Sequence, residues 1–154
     1  MDVLTPEQRR RCMVRIRGQN TKPEVVLRKA LFSLGLRYRL HQKRLPGTPD
    51  LVFPKYHAVV FIHGCFWHGH RCKLFVVPAT NTKFWLQKIG GNRVRDEHTV
   101  GALRGMGWRV MTVWECAMRG RDRLPLEQLA LRIARWLGGT KGIGEVPVPA
   151  LTPH

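Results

Sequence analysis

The stretch that most constrains this chain is a run of ten residues, His63-Gly64-Cys65-Phe66-Trp67-His68-Gly69-His70-Arg71-Cys72, which gathers three of its seven histidines and two of its four cysteines. It reads as an irregular loop, and a loop this rich in soft donors is organised most simply by a metal ion. Cys65, His70 and Cys72 offer two thiolates and an imidazole, the set zinc prefers, and one more ligand completes a tetrahedron. Cys116, in Trp114-Glu115-Cys116 after a predicted strand, is the natural fourth; Cys12 competes, but lies on a basic N-terminal segment where a permanent ligand would be awkward. A site with three cysteines and one histidine has no open position, so its zinc is structural.

Charge sets the partner. The 154 residues carry 27 Lys and Arg against 10 Asp and Glu, a formal net charge of +17, and 44% are hydrophobic. That is too apolar for a disordered polycation and enough for one folded core. A compact domain this basic is expected to bind a polyanion, nucleic acid first, since Lys and Arg contacts to phosphate release counterions. Nothing approaches the roughly 20 apolar residues of a membrane span, and Met1-Asp2-Val3-Leu4 lacks the features of a signal peptide, so a cytoplasmic protein with reduced cysteines and no membrane partner is expected. Neither G-x-G-x-x-G nor G-x-x-x-x-G-K-S/T occurs, which argues against a dinucleotide enzyme or a nucleotide-driven motor.

The elements follow from periodicity. Residues 1–19 read as a basic arm or lid, with a helix starting at Thr5-Pro6-Glu7-Gln8 and carrying five arginines. A second helix starts near Thr21, where Thr21-Lys22-Pro23-Glu24 is a capping-box pattern, and puts Leu27, Ala30, Leu31 and Leu34 in the core up to Gly35. Leu36-Arg37-Tyr38-Arg39-Leu40 alternates as a half-buried strand. Asp50-Leu51-Val52-Phe53, a tight turn and Ala58-Val59-Val60-Phe61-Ile62 give a strand pair. Residues 81–106 read as two helices bending at Gly90-Gly91, residues 108–114 as a strand, and Leu126, Leu129, Ala130, Ile133 and Leu137 as a last amphipathic helix. Residues 20–137 thus form one domain, an α/β sandwich around a small mixed sheet, and 138–154 a flexible tail.

Three sets of residues carry chemistry in this frame. If zinc takes His70, His63 and His68 are free for acid–base work near neutral pH. Asp50, at the start of a strand, can meet His63, at the end of the next, across the hairpin. A carboxylate there can hold Mg²⁺ against a phosphodiester, where the ion acts as Lewis acid and activates water. Phe66 and Trp67, with Trp85 at the head of the basic helical region, cannot all face the core. Such rings serve as wedges between base steps, and a mismatched step opens more easily.

Pro49-Asp50, the run 63–72, Val77-Pro78-Ala79-Thr80, Phe84-Trp85-Leu86, Arg95-Asp96 and Gly107-Trp108-Arg109-Val110 through Val113-Trp114-Glu115-Cys116 resemble the very short patch repair (Vsr) DNA mismatch endonucleases, from about Thr5 to Leu137. The resemblance implies a restriction-endonuclease-like fold, a structural zinc, and Mg²⁺-dependent nicking of duplex DNA on the 5′ side of the T in a T·G mismatch, the product of 5-methylcytosine deamination. It implies Asp50 as metal-binding carboxylate, His68 as general acid or base oriented by Asp96, His63 as a second histidine at the scissile phosphate, and Glu24 assisting through water. Cys65, His70, Cys72 and Cys116 would bind zinc, Phe66, Trp67 and Trp85 would intercalate, and Lys88 and Asn92 would contact the mismatched pair. Related nucleases carry Glu-x-Lys where this strand ends Phe61-Ile62-His63. A backbone carbonyl such as that of Ile62, with water and phosphate oxygens, would then replace the missing carboxylate, and His63 with His68 the missing lysine. The family often has Thr at the position of Ile62, and if that hydroxyl positions water, weaker activity or an altered metal preference is expected. The implied protein is a bacterial monomer, associated with the nucleoid when bound to DNA, with a mismatch-repair scaffold protein as candidate partner. Rival readings are a catalytically silent zinc module that grips DNA, a nickase of broader mismatch or site specificity, and a small-molecule zinc hydrolase, which the closed ligand set disfavours.

Overall fold

A computed structural model describes residues 21–72 and 74–147. The basic arm over residues 1–19, Cys12 with it, lies outside the described residues. The described elements are helix α1 (Lys22–Ser33), strands β1 (Arg39–Leu40), β2 (Leu51–Phe53) and β3 (Ala58–His63), helix α2 (Thr82–Gly105), β4 (Arg109–Trp114), α3 (Leu126–Leu137) and β5 (Ile143–Val146). They build a mixed α/β domain on one five-stranded sheet in the order β1-β2-β3-β4-β5. The first three strands form an antiparallel meander, whereas β3–β4 and β4–β5 are parallel. Parallel neighbours need a crossover, and α2 and α3 supply the two.

Period-two alternation in β3 assigns its side chains to two cores. Ala58 and Val60 join Leu27 and Leu31 of α1 and Leu129, Ala130, Ile133 and Leu137 of α3, while Val59 and Phe61 face Leu103 of α2 with Val52 and Val110. The sheet therefore lies between α1/α3 and α2. Continued outward, the same alternation places His63 of β3 and its registered neighbour Trp114 of β4 on the α2 side, at the carboxyl ends of parallel strands.

Four sequence expectations change. Leu34 is 46% exposed, because α1 ends at Ser33 and the stripe that faces the core stops at Leu31. The strand expected over 36–40 shrinks to Arg39–Leu40, with both side chains exposed: the pairing partner, β2, is only three residues long. Gly90 and Gly91 do not bend the chain. A side chain added at Gly90 would meet nothing, so this is the solvent face of one continuous 24-residue helix, and the intrinsic penalty of roughly 1 kcal/mol per glycine is offset by contacts of Ile89 and Leu103. Finally, Ile143–Val146, read as part of a flexible tail, is a fifth strand. It pairs with Val110 through Val113, and Val146 is buried.

Candidate active site and metal centre

The β2–β3 hairpin brings Asp50 and the end of β3 together, because the register Leu51↔Val60 leaves Asp50 beside Ile62. The Ile62 backbone N–H donates to Asp50 Oδ2 at 2.7 Å, so Ile62 meets Asp50 through its amide. Glu24 arrives from the first turn of α1. It does not close a capping box: Thr21 occupies the N-cap without a side-chain hydrogen bond. The Glu24 carboxylate is instead buried to 3% exposure, accepting from Arg28 Nη1 at 2.9 Å and lying 3.2 Å from His41 Nε2 through each of its oxygens. Ligand atoms of Glu24, His41 and Asp50 lie within 4.8 Å of one another.

Burial pushes the Asp50 carboxyl up to about 7, with the nearby Glu24 charge adding to the shift and the Ile62 N–H opposing it. Two acidic groups held this close in a desolvated position call for a cation, which would restore the ionised form of Asp50. The oxygen-rich donor set suits a hard divalent ion such as Mg²⁺.

On the α2 side of the sheet end, the rings of His63 and His68 stack with centroids 3.8 Å apart and planes 3° from parallel. Asp96, from the middle of α2, sits 2.6 Å from His68 Nδ1. The carboxylate fixes the proton on Nδ1 and leaves Nε2 as the ring's free nitrogen. His63 is driven down to about 3 by burial, with the adjacent His68 charge acting in the same direction, so it is a neutral imidazole at physiological pH. Burial thus keeps positive charge off His63.

The Cys and His cluster lies behind this pair. Ligand atoms of Cys65, His70, Cys72 and Cys116 lie within 4.8 Å of one another, and His70 Nδ1 is 3.5 Å from the sulfurs of both Cys65 and Cys116. Tetrahedral ligands at Zn–S and Zn–N bond lengths are separated by roughly 3.5–3.8 Å, so the cage has the size of a zinc site. Backbone N–H groups of Cys116 and Leu74 donate to the sulfurs of Cys65 and Cys72, as thiolate ligands require. With no cation present, burial pushes the Cys116 thiol up to about 11 and Cys65 higher still. Gly69 makes the loop possible: its φ is +63°, and a Cβ there would sit 2.7 Å from Ile89 Cγ2 of α2.

One indole joins the two centres. Trp114 stacks on His70 at 4.1 Å and meets His63 edge-on at 5.4 Å, while its Nε1 donates to Glu145 of β5 at 2.5 Å. Glu115 accepts from the Cys65 N–H at 3.3 Å and pairs with Arg119. The aromatic residues cluster at the rim, with Phe66 5.1 Å from Trp67 and 5.4 Å from Trp85, and none of the three is fully buried. Phe84 and Val76 add exposed apolar surface beside them. Asn92 Nδ2 donates to the Trp67 carbonyl at 2.8 Å and so ties the loop to α2, and its side-chain oxygen accepts from Arg95.

One open cleft of about 680 Å³ is lined among others by Glu24, Asp50, Ile62, His63, Trp67, His68, Lys88 and Asn92. Of the predicted residues, these eight line this one space; Asp96 reaches it through His68, Phe66 and Trp85 pack against Trp67 without lining it, and Cys65, His70, Cys72 and Cys116 form a separate cluster. Sequence reasoning missed His41, Trp114, Glu115 and the cleft cations Arg95 and Arg119. His41 carries no local signal, whereas Trp114 and Glu115 flank Cys116 in a motif read only for its cysteine. Among the described residues no helix is long and apolar enough to cross a membrane.

Comparison with known proteins places this cleft in context. A profile of the family described as "DNA mismatch endonuclease Vsr" matches residues 1–74. The chain is 46% identical over 138 residues to the DNA mismatch endonuclease Vsr of Escherichia coli K12, covering 90% of this chain and 88% of that protein. It is 50% identical over 117 residues to the type II nicking enzyme V.XorIIP of Xanthomonas oryzae pv. oryzae, covering 76% of this chain and 86% of that one. It is also 47% identical over 120 residues to the type II nicking enzyme V.NmeAIP of Neisseria meningitidis serogroup A, covering 78% and 86%.

Proposed function

Since the chain belongs to the Vsr family of DNA mismatch endonucleases and is a DNA endonuclease, we propose that it nicks one strand of duplex DNA 5′ of the T in a T·G mismatch, with Mg²⁺ at Asp50 and a structural zinc at Cys65, His70, Cys72 and Cys116. The observation that carries this reading is the cleft itself, where a carboxylate pair, a carboxylate-held histidine and the indole of Trp67 share one space. A restriction-endonuclease-like architecture is the matching reading of its mixed sheet flanked by helices.

Each residue then has a task its surroundings equip it for. Asp50 and Glu24 would hold the ion, which when bound supplies Lewis acidity toward the phosphate and lowers the pKa of a bound water. The Ile62 carbonyl and water would complete its shell. His68, its Nδ1 engaged by Asp96, presents Nε2 as the group that takes or returns a proton at the scissile phosphate. His63, held neutral by burial, stacks on His68 and can hydrogen-bond a phosphate oxygen or water. Phe66, Trp67 and Trp85 would enter the base stack at the mismatch, at a cost of a few kcal/mol of unstacking that a mispaired step reduces. Lys88 and Asn92 would reach the mispaired bases, Asn92 also bracing the Trp67 loop. The +17 charge supplies the salt-sensitive grip. The protein would act as a monomer on bacterial DNA in the cytoplasm, with a mismatch-repair scaffold as candidate partner.

The relatives' names divide between mismatch endonuclease and nicking enzyme, which favours a second reading: nicking with broader mismatch or site specificity. One experiment separates the two. Duplexes with T·G, other mismatches and matched pairs are incubated with the purified protein and Mg²⁺ at fixed salt. Preferential one-strand scission at T·G is expected; equal nicking of matched duplex would sink the mismatch reading, and binding without scission in any divalent metal would leave a silent DNA-binding module.

A further inference from the structure

We propose that His41 is a positioning residue of the cation site, acting through Glu24; the inference rests on the reading of Asp50 and Glu24 as the cation-binding pair. Its imidazole Nε2 lies 3.2 Å from both oxygens of Glu24, a geometry in which one N–H is shared by the whole carboxylate. Arg28 Nη1 holds Oε2 from the other side at 2.9 Å. A carboxylate gripped at both oxygens loses rotational freedom about its terminal torsion, and its plane is fixed relative to Asp50.

The backbone of His41 is built for this. Its N–H donates to the Asp50 carbonyl at 3.1 Å, extending the β1–β2 ladder by one rung, so the residue that aims Glu24 is anchored on the residue Glu24 must face. Its φ is +45°, a left-handed conformation that non-glycine residues rarely adopt and that tends to persist where surroundings enforce it. The leucine before it is on an exposed strand, and without the turn the ring would follow the strand's alternation away from α1. Charge gives the reason for the arrangement. Two carboxylates within 4.8 Å repel, and cationic or donor groups on Glu24 offset that repulsion; Arg28 and His41 are such groups, beside the hydrogen bond that Glu24 shares with Asp50. Loss of one such supporting group commonly weakens metal binding by about 10–100-fold.

The test uses the full-length protein and Mn²⁺ as the probe. Binding of Mn²⁺ to the DNA-free protein is read by electron paramagnetic resonance, alongside the Mg²⁺ dependence of single-turnover nicking. His41→Ala is expected to weaken Mn²⁺ binding by about tenfold and to raise half-saturating Mg²⁺ to match, with duplex affinity in the absence of divalent ion within about twofold of the parent. His41→Gln, whose amide can donate to Glu24, should recover most of the loss. In a Glu24→Gln background, His41→Ala should add little, because its route is already cut. Parent-like Mn²⁺ binding by His41→Ala, no recovery by His41→Gln, or fully additive losses would each overturn the proposal. Should His41→Ala not fold, His41→Met, which has volume but no donor, replaces it in the cycle. Because Mn²⁺ is measured without DNA, failure of the parent to nick would count against the nicking reading and leave the His41 result intact.

Discussion

Changing Asp50 to Asn should remove activity and, at alkaline pH without divalent cations, make the protein more stable. The folded Asp50 carboxyl keeps its proton up to about pH 7, whereas the unfolded one loses it near 3.8. Between these values the folded state binds more protons, so stability falls as pH rises, and the penalty is complete above 7. From pH 5 to pH 7 the slope acts over two pH units at about 1.4 kcal/mol each, so the parent should lose about 3 kcal/mol relative to the variant between pH 5 and 8.5. The amide cannot ionise but can still accept from the Ile62 N–H, so the comparison isolates charge. Urea unfolding of both proteins in Mg²⁺-free buffer at pH 5, 6, 7 and 8.5 measures it, other titrations cancelling in the difference. Added Mg²⁺ should then stabilise the parent and leave the variant unmoved. A difference constant with pH to within about 0.5 kcal/mol would refute the picture of a buried carboxylate awaiting a cation.

Other outcomes follow from the same geometry. Asp96→Asn replaces an acceptor-only carboxylate with a neutral amide that can also donate, so the His68 proton is no longer fixed on Nδ1; single-turnover nicking should fall by about 100-fold or more while duplex affinity changes little, as a filter-binding assay would show. Gly69→Ala forces a side chain into a left-handed position against Ile89 and should destabilise by about 1–3 kcal/mol in denaturant melts. Trp67→Ala should weaken binding to T·G duplex by about 1–3 kcal/mol and matched duplex by less; equal losses would argue that the ring is a general contact.

What the sequence disclosed and what it hid divide along physical lines. The apolar run of β3 and the stripe of α3 announce themselves, because burial imposes a period that composition can satisfy locally. The Cys and His ligands were legible for a related reason: three of the four lie within eight residues, and donor chemistry needs no fold to be recognised. The strand Ile143-Gly144-Glu145-Val146 hid among glycines and prolines because its support is long-range: pairing with β4, the burial of Val146 and the Trp114–Glu145 hydrogen bond. The glycine pair in α2 misled because local propensity is a weak prior beside a helix whose packing sits elsewhere. His41 was invisible for a deeper reason: its partners are 17 residues back at Glu24 and nine ahead at Asp50, and only the chain's path through α1 and the hairpin brings them to one point.

The cluster behind the cleft also changes the topology of the chain. Cys65 and Cys116 are 51 residues apart, and the span between them contains all of α2, a helix that buries only Ile89 and Leu103. An ion holding both cysteines closes that span into a loop, as a crosslink would, and the loss of denatured-chain entropy for a closure of this length is about 4 kcal/mol. With such an ion bound, the helix that carries Asp96, Lys88 and Asn92 would be constrained by the tethered span around it as well as by its own narrow apolar face. Chelation should accordingly be felt first as accelerated amide exchange along α2, before the sheet itself gives way.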